Sequence, residues 1–209
     1  MTDRETESIW THMDGNAIGG RMKGERLAIL PLVHARWDSW KNSHPNTMVL
    51  SPDTLFRDKY GPVSIGVFNP REAVFGDNRL AANDLVVGVE VGGQFKGYSL
   101  KTLRDVGGVI NDTLAGQPIV VTYDETAQTG LAYSRLSDGL VLEFEVSEIN
   151  GFWLKDKETQ SIWNQQGRAS AGPLRGTLLE FVPSFISEWY GWSGYHPETM
   201  LFQSTLHKG

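Results

Sequence analysis

A chain of 209 residues has room for one large domain or two small ones, and its net charge of −6 argues against nucleic acid as a partner, because phosphate binding needs a basic surface. The 23 glycines and 9 prolines favour strands and turns over long helices, and with no cysteine the chain has no disulfide, thiolate metal site or thiol nucleophile. The longest apolar run, Leu27 to Val33, is far short of the ~20 residues of a spanning helix, so no transmembrane segment is expected, and the polar start "MTDRETES" lacks a signal-peptide pattern.

The first element in chain order, "DRETESIW" at Asp3 to Trp10, returns as "DKETQSIW" at Asp156 to Trp163. Laying residues 3–50 over 156–202, with one residue skipped near Met13, makes 18 of 47 paired positions identical, which marks an internal duplication. Its landmarks are Gly20 and Gly24 with Gly172 and Gly176, Pro31 with Pro183, Trp37 and Trp40 with Trp189 and Trp192, and His44-Pro45 with His196-Pro197. The segment that precedes the second copy has no counterpart before Asp3. Residues 1–50 therefore read as the back half of a repeat, 51–83 as a turn-rich connection ("SPDT", "YGP", "FNPRE", "GDNR"), and 84–209 as one complete unit.

Within that unit "LVVGVEVGGQFKGYSL" predicts a hairpin around Gly92-Gly93, and "SLKTLRDVGG" a short helix stopped by Gly107-Gly108. "QPIVVTYDE" reads as a strand. "LAYSRLSDGLVLEFEVS" reads as a second hairpin turning near Asp138-Gly139, with Leu140, Leu142, Phe144 and Val146 on one face and Glu143 and Glu145 on the wet face. "FWLKDKETQSIWNQ" predicts two short strands around the charged turn Lys155 to Thr159. "GTLLEFVPS" predicts a strand closed by Pro183, and "SFISEWYGWSGYHPET" a helix carrying Phe185, Trp189 and Trp192 that ends at His196-Pro197. The sum is an internally duplicated α+β fold of mainly antiparallel β hairpins, a barrel-like or sandwiched sheet with short helices.

The runs "DLVVGVEVGGQFKGYSL", "VINDTLAGQPIVVTYD", "DKETQSIWNQQGRASAGPLRGTLLEFVPS" and "WYGWSGYHPETM" resemble the second half of proteins in domain-of-unknown-function family 3179. The resemblance implies a tandem duplication whose first half carries a Cys-x-x-Cys segment soon after a Val-Thr-Tyr strand, in microbial proteins that are often exported or lipid-anchored. At the matching place, "VTYDETAQTG", Asp124 and Ala127 stand where the two cysteines would be, so a redox or metal role of those cysteines transfers to no residue of this chain.

The candidate site residues come from the repeat and from strand ends. In Trp-x-x-Trp-x-x-x-His, Trp37/Trp40/His44 and Trp189/Trp192/His196, each histidine falls at a helix end, where the helix dipole favours its charged form. His44 and His196 are the one weak candidate pair for a metal; the five histidines otherwise show no metal-ligand spacing. The plainer reading makes the tryptophans core anchors and the histidines helix ends before proline, and large aromatics at helical spacing favour it. Trp10 and Trp163 are candidates for an aromatic ligand platform, against the commoner role of filling a sheet face. Asp112, Asp124 and Glu125 are the carboxylate candidates, with His196 as a proton carrier, although carboxylates in turns are usually solvated. Asn111-Asp112-Thr113 fits a glycosylation sequon, but a turn is its expected role.

The expected function is noncatalytic small-molecule or glycan binding, or a structural role, in an extracytoplasmic protein if the resemblance sets the compartment. The alternative is part of a redox- or metal-dependent enzyme whose Cys-bearing half is missing. No motif names a cofactor. A half repeat would leave open sheet edges, so self-association is expected.

Overall fold

A computed structural model describes residues 1–51, 53–55, 57–59, 61, 77–147 and 153–203. The turn motifs "YGP" and "FNPRE", and Phe152 at the start of an expected strand, fall wholly or mainly outside them. The chain divides into two compact units, Met1–Leu32 and Val33–Gly209.

The first unit is a two-stranded hairpin of β1 (Ile9–Trp10) and β2 (Ala17–Gly19), extended by isolated bridges Thr2↔Ile9 and Asn16↔Arg26. The second begins with helix α1 (Trp37–Ser43) and a 3-10 turn at Arg57–Lys59. Hairpin β3 (Leu85–Val91) and β4 (Gln94–Ser99) follows, turning on Gly92 and Gly93 with φ of 56° and 76°, the left-handed conformation a two-residue turn requires. Helix α2 (Leu100–Asp105) is capped by the Ser99 hydroxyl, which accepts from the Thr102 N–H at 3.0 Å, and closes where the Gly108 N–H donates to the Leu103 carbonyl at 2.7 Å. Next come β5 (Val109–Leu114), β6 (Gln117–Asp124) and β7 (Thr129–Ser134), then the small hairpin β8 (Leu136–Ser137) and β9 (Leu140–Val141). The chain continues through β10 (Phe144–Val146), β11 (Leu154–Asp156), β12 (Ile162–Trp163) and β13 (Ala169–Ala171). It ends with β14 (Phe181–Val182), β15 (Ser184–Glu188), helix α3 (Trp189–Tyr195) and β16 (Met200–Leu201).

These strands form three open four-stranded sheets, β15-β3-β4-β16, β14-β7-β6-β5 and β10-β11-β12-β13, antiparallel except where β16 runs parallel to β4. The second is the middle layer. Ile119, Val121, Tyr123 and Ala132 pack with Val87, Val89 and Tyr98 on one side, while Val120, Leu131 and Tyr133 pack with Phe144, Leu154 and Trp163 on the other. Burial on both faces explains why "IVVTY" and "GLAY" are continuous apolar runs instead of alternating ones.

The antiparallel hairpin architecture is as the sequence implies, with four local differences. Asn111 to Thr113 lies within strand β5, and the turn falls instead on Ala115 and Gly116, at φ of 50° and 79°. Phe185 belongs to β15: the chain leaves the middle sheet at Pro183 and pairs with β3 before α3 begins. Proline fits that corner because it has no N–H to give to either sheet. The "GTLLEFVPS" strand is short, only Phe181–Val182 pairing with β7. Leu142 and Phe144 are buried but Leu140 and Val146 are exposed: Leu140 belongs to the separate small hairpin β8–β9, and Val146 is the last residue of β10.

Candidate functional site

The octapeptide proves to be a carboxylate-centred turn. Asp156 accepts hydrogen bonds from the Thr159 N–H at 2.5 Å, the Thr159 hydroxyl at 3.0 Å, the Ser161 N–H at 3.1 Å and the Trp163 indole at 2.8 Å. In the first unit Asp3 accepts from the Thr6 N–H at 2.5 Å, the Thr6 hydroxyl at 2.6 Å, the Ser8 N–H at 3.2 Å and the Trp10 indole at 2.8 Å. The spacing Asp-x-x-Thr-x-Ser-x-Trp is thus what one carboxylate needs to hold a turn and pin the indole of the following strand. Gly20 and Gly172 complete each copy, for a Cβ there would lie 2.5 and 2.6 Å from the Ser8 and Ser161 Cα. The two tryptophans differ in exposure. Trp163 is fully buried against Phe144 and shows no surface to a ligand, whereas Trp10 is half-buried and borders a hollow of about 620 Å³ with Met1, Met22 and Leu27.

A second hollow, of about 580 Å³, brings together candidates from distant parts of the second unit. Asp124 ends β6, and its Oδ1 accepts the Thr126 and Ala127 N–H groups at 2.8 and 3.1 Å, an Asx turn that leads into β7. Its Oδ2 accepts from the Gln165 side-chain amide. The Arg36 N–H donates to the Ala127 carbonyl at 2.9 Å and the Thr129 hydroxyl to the His34 carbonyl at 2.9 Å, which anchors the chain entering α1 beside this turn. The α1 side of the cleft is Ser39, Trp40, Ser43 and His44, with His44 stacked on Trp40 at 4.0 Å between ring centroids. Trp153 and the amides Asn164, Gln165 and Gln166 supply the rest. The turn that carries the amides is held against β7: the Tyr133 hydroxyl donates to the Gln165 carbonyl at 2.8 Å, and at Gly167 (φ 73°) a Cβ would meet the Tyr133 ring at 2.8 Å.

Asp124, Trp40 and His44 therefore share one cleft, and the other candidates lie elsewhere. His196 is buried, stacked on Phe95 at 3.8 Å and flanked by Trp192 and Tyr195. Among the described residues no cluster of three or more His, Asp and Glu side chains could hold a metal ion. Asp112 joins the first and middle sheets: its Oδ2 accepts from Lys96 Nζ at 2.6 Å and the Tyr98 hydroxyl at 2.7 Å. Desolvation raises its pKa, but the hydrogen bonds from Lys96 and Tyr98 outweigh this and hold the carboxyl below its ordinary value. Asn111 donates to the Phe144 carbonyl at 2.7 Å and accepts its N–H at 2.8 Å, so the sequon amide is occupied in tying β5 to β10. Glu125 is exposed, 3.3 Å from Arg104.

Sequence reasoning did not single out Trp153, Asn164, Gln165 or Gln166. Their signal was three consecutive amides between a strand tryptophan and Gly167, a pattern that belongs in a surface turn.

Against known proteins, a family model described as a protein of unknown function (DUF3179) matches the chain over residues 1–76 and 66–208. No curated protein and no solved structure matches.

Proposed function

The chain belongs to the DUF3179 family of proteins of unknown function, and from that premise we propose that it is a noncatalytic binding module whose α1 cleft takes a neutral sugar or a similarly hydroxyl-rich small molecule. The observation that carries this reading is the pairing of two half-buried indoles, Trp40 and Trp153, with the amides of Asn164, Gln165 and Gln166 in one cleft. Indole faces cover the C–H faces of a sugar ring, and amides both donate to and accept from hydroxyls. Charge favours a neutral ligand. Among the described residues no Lys or Arg lines the cleft, and Asp124 already accepts from three donors, so neither an anion nor a cation finds a strong partner.

The two family matches and the paired Asp3 and Asp156 turns support reading residues 1–50 as the back half of a repeat, 51–83 as a connection and 84–209 as a complete unit. On this reading the cleft is built where the helix of the partial copy meets the complete one.

A panel of neutral mono- and oligosaccharides, read by calorimetry, tests the proposal. At least one should bind, and Trp40→Ala or Gln165→Ala should weaken it by about tenfold, the worth of one good stacking or hydrogen-bonding contact. Silence across the panel, or binding that neither substitution changes, defeats it.

A further inference from the structure

We infer that the face of α1 bearing Trp37, with Met48 to Leu50 beside it, is a docking surface for a partner that presents a two-stranded antiparallel hairpin with glycines at directly paired positions. The copy that has such a hairpin supplies the template. There Trp192 lies over Gly88 and Gly97, which face each other across β3 and β4. A Cβ on Gly88 would sit 2.3 Å from the Trp192 ring, and one on Gly97 3.1 Å from the Trp189 ring. On either side of this contact β15 pairs with β3 and β16 with β4, so helix and flanks clasp the hairpin together.

Helix α1 has the same local build. The Trp40 indole donates to the Thr47 hydroxyl at 2.9 Å, as Trp192 does to Thr199 at 2.8 Å. The His44 N–H donates to the Trp40 carbonyl at 2.8 Å, and in the other copy His196 to Trp192 at 2.9 Å. The helix and its latch are therefore preformed, while the flanks that would match β15 and β16 pair with no strand among the described residues, and the apolar residues face solvent: Trp37 is 54% exposed and Met48 94%, against 0% and 41% for their counterparts Trp189 and Met200. Val49 and Leu50 are 67% and 95% exposed. An exposed apolar surface whose twin is filled by a glycine hairpin calls for a ligand of the same shape. His196 stacks on Phe95, two residues before Gly97, so an aromatic at that place in the partner hairpin would take up His44. A second copy of this chain does not fit, because its glycine pair is covered by its own α3.

The test uses the whole chain and a peptide of its own sequence Asp84 to Leu100 as the hairpin probe, in linear and end-to-end cyclised forms so that an unfolded peptide does not decide the result. Indole N–H resonances report binding site by site, with Trp37 expected to shift and Trp189 and Trp192 to stay. Replacing both peptide glycines by leucine, or Met48→Asp in the protein, should weaken binding by about tenfold or more, the scale of a central interface contact. Gln165→Ala should leave it unchanged, which separates this surface from the sugar cleft that Trp40 and His44 also border. Failure of both peptide forms to bind, equal binding of the leucine peptide, or shifts confined to Trp189 and Trp192 overturns the inference.

Discussion

Asp156 shows how much one buried carboxylate can organise. It is fully buried, takes four hydrogen bonds and fixes the indole of Trp163 at the centre of the core against the third sheet. Asp156→Ala leaves buried donors unpaired and should lower unfolding free energy by about 2–4 kcal/mol in a urea titration, the loss of several charge-assisted bonds. Asp3 makes the same bonds nearer solvent. Chiefly the Thr6 hydroxyl, then the Trp10 indole, hold its carboxyl well below the ordinary value of 3.8. A lowered native pKa means that its contribution is complete above the ordinary carboxylate range and is lost as pH falls through the lowered value. The Trp10 indole N–H resonance should therefore titrate with a midpoint well under 3.8, and Asp3→Asn should remove that transition. Asp112 follows the same sign. Tyr98→Phe should cost about 1–2 kcal/mol in chemical denaturation, because it removes one of the two side-chain donors that keep a half-buried carboxylate charged.

At the scale of elements, the two copies of Trp-x-x-Trp-x-x-x-His-Pro-x-Thr form the same seven-residue helix and the same Trp–Thr latch, but only one is buried. Local sequence makes the helix; a pair of glycines on facing strands makes its seat. Gly88→Ala should be far more damaging than a methyl group usually is. Overlap with the Trp192 ring forces the helix off the sheet, an overpacking cost of about 3 kcal/mol, measurable as a lowered denaturation midpoint. Gly97→Ala, with its nearest ring atom at 3.1 Å, should cost less. The same comparison accounts for His44, which stacks on its own Trp40 where His196 has Phe95.

At the scale of the molecule, three stacked sheets bury the middle one on both faces, while residues of α1 and the chain after it leave large apolar side chains in solvent. Exposed apolar patches in general favour association at high concentration. Trp37→Arg combined with Met48→Lys should reduce concentration-dependent association in light scattering while leaving the unfolding midpoint nearly unchanged, since exposed side chains contribute little to stability. A fall in that midpoint would mean that the two side chains are structural.

The sequence by itself determined the duplication, the hairpins at Gly92-Gly93 and Asp138-Gly139, the α2 helix and the polar turn of the octapeptide. These rest on local rules of periodicity, positive-φ turns and caps, which neighbouring residues carry together. Tertiary structure alone decided which tryptophan of each repeated pair is buried: Trp10 and Trp163 follow the same Ser-Ile dipeptide, but Trp163 joins a core cluster with Phe144, Leu154 and the middle sheet, while Trp10 is only half-buried. It also decided that Asp124 and His44, 80 positions apart, border one cleft with Gln165. No periodicity encodes that meeting; it follows from where the chain entering α1 bonds to the β6–β7 turn.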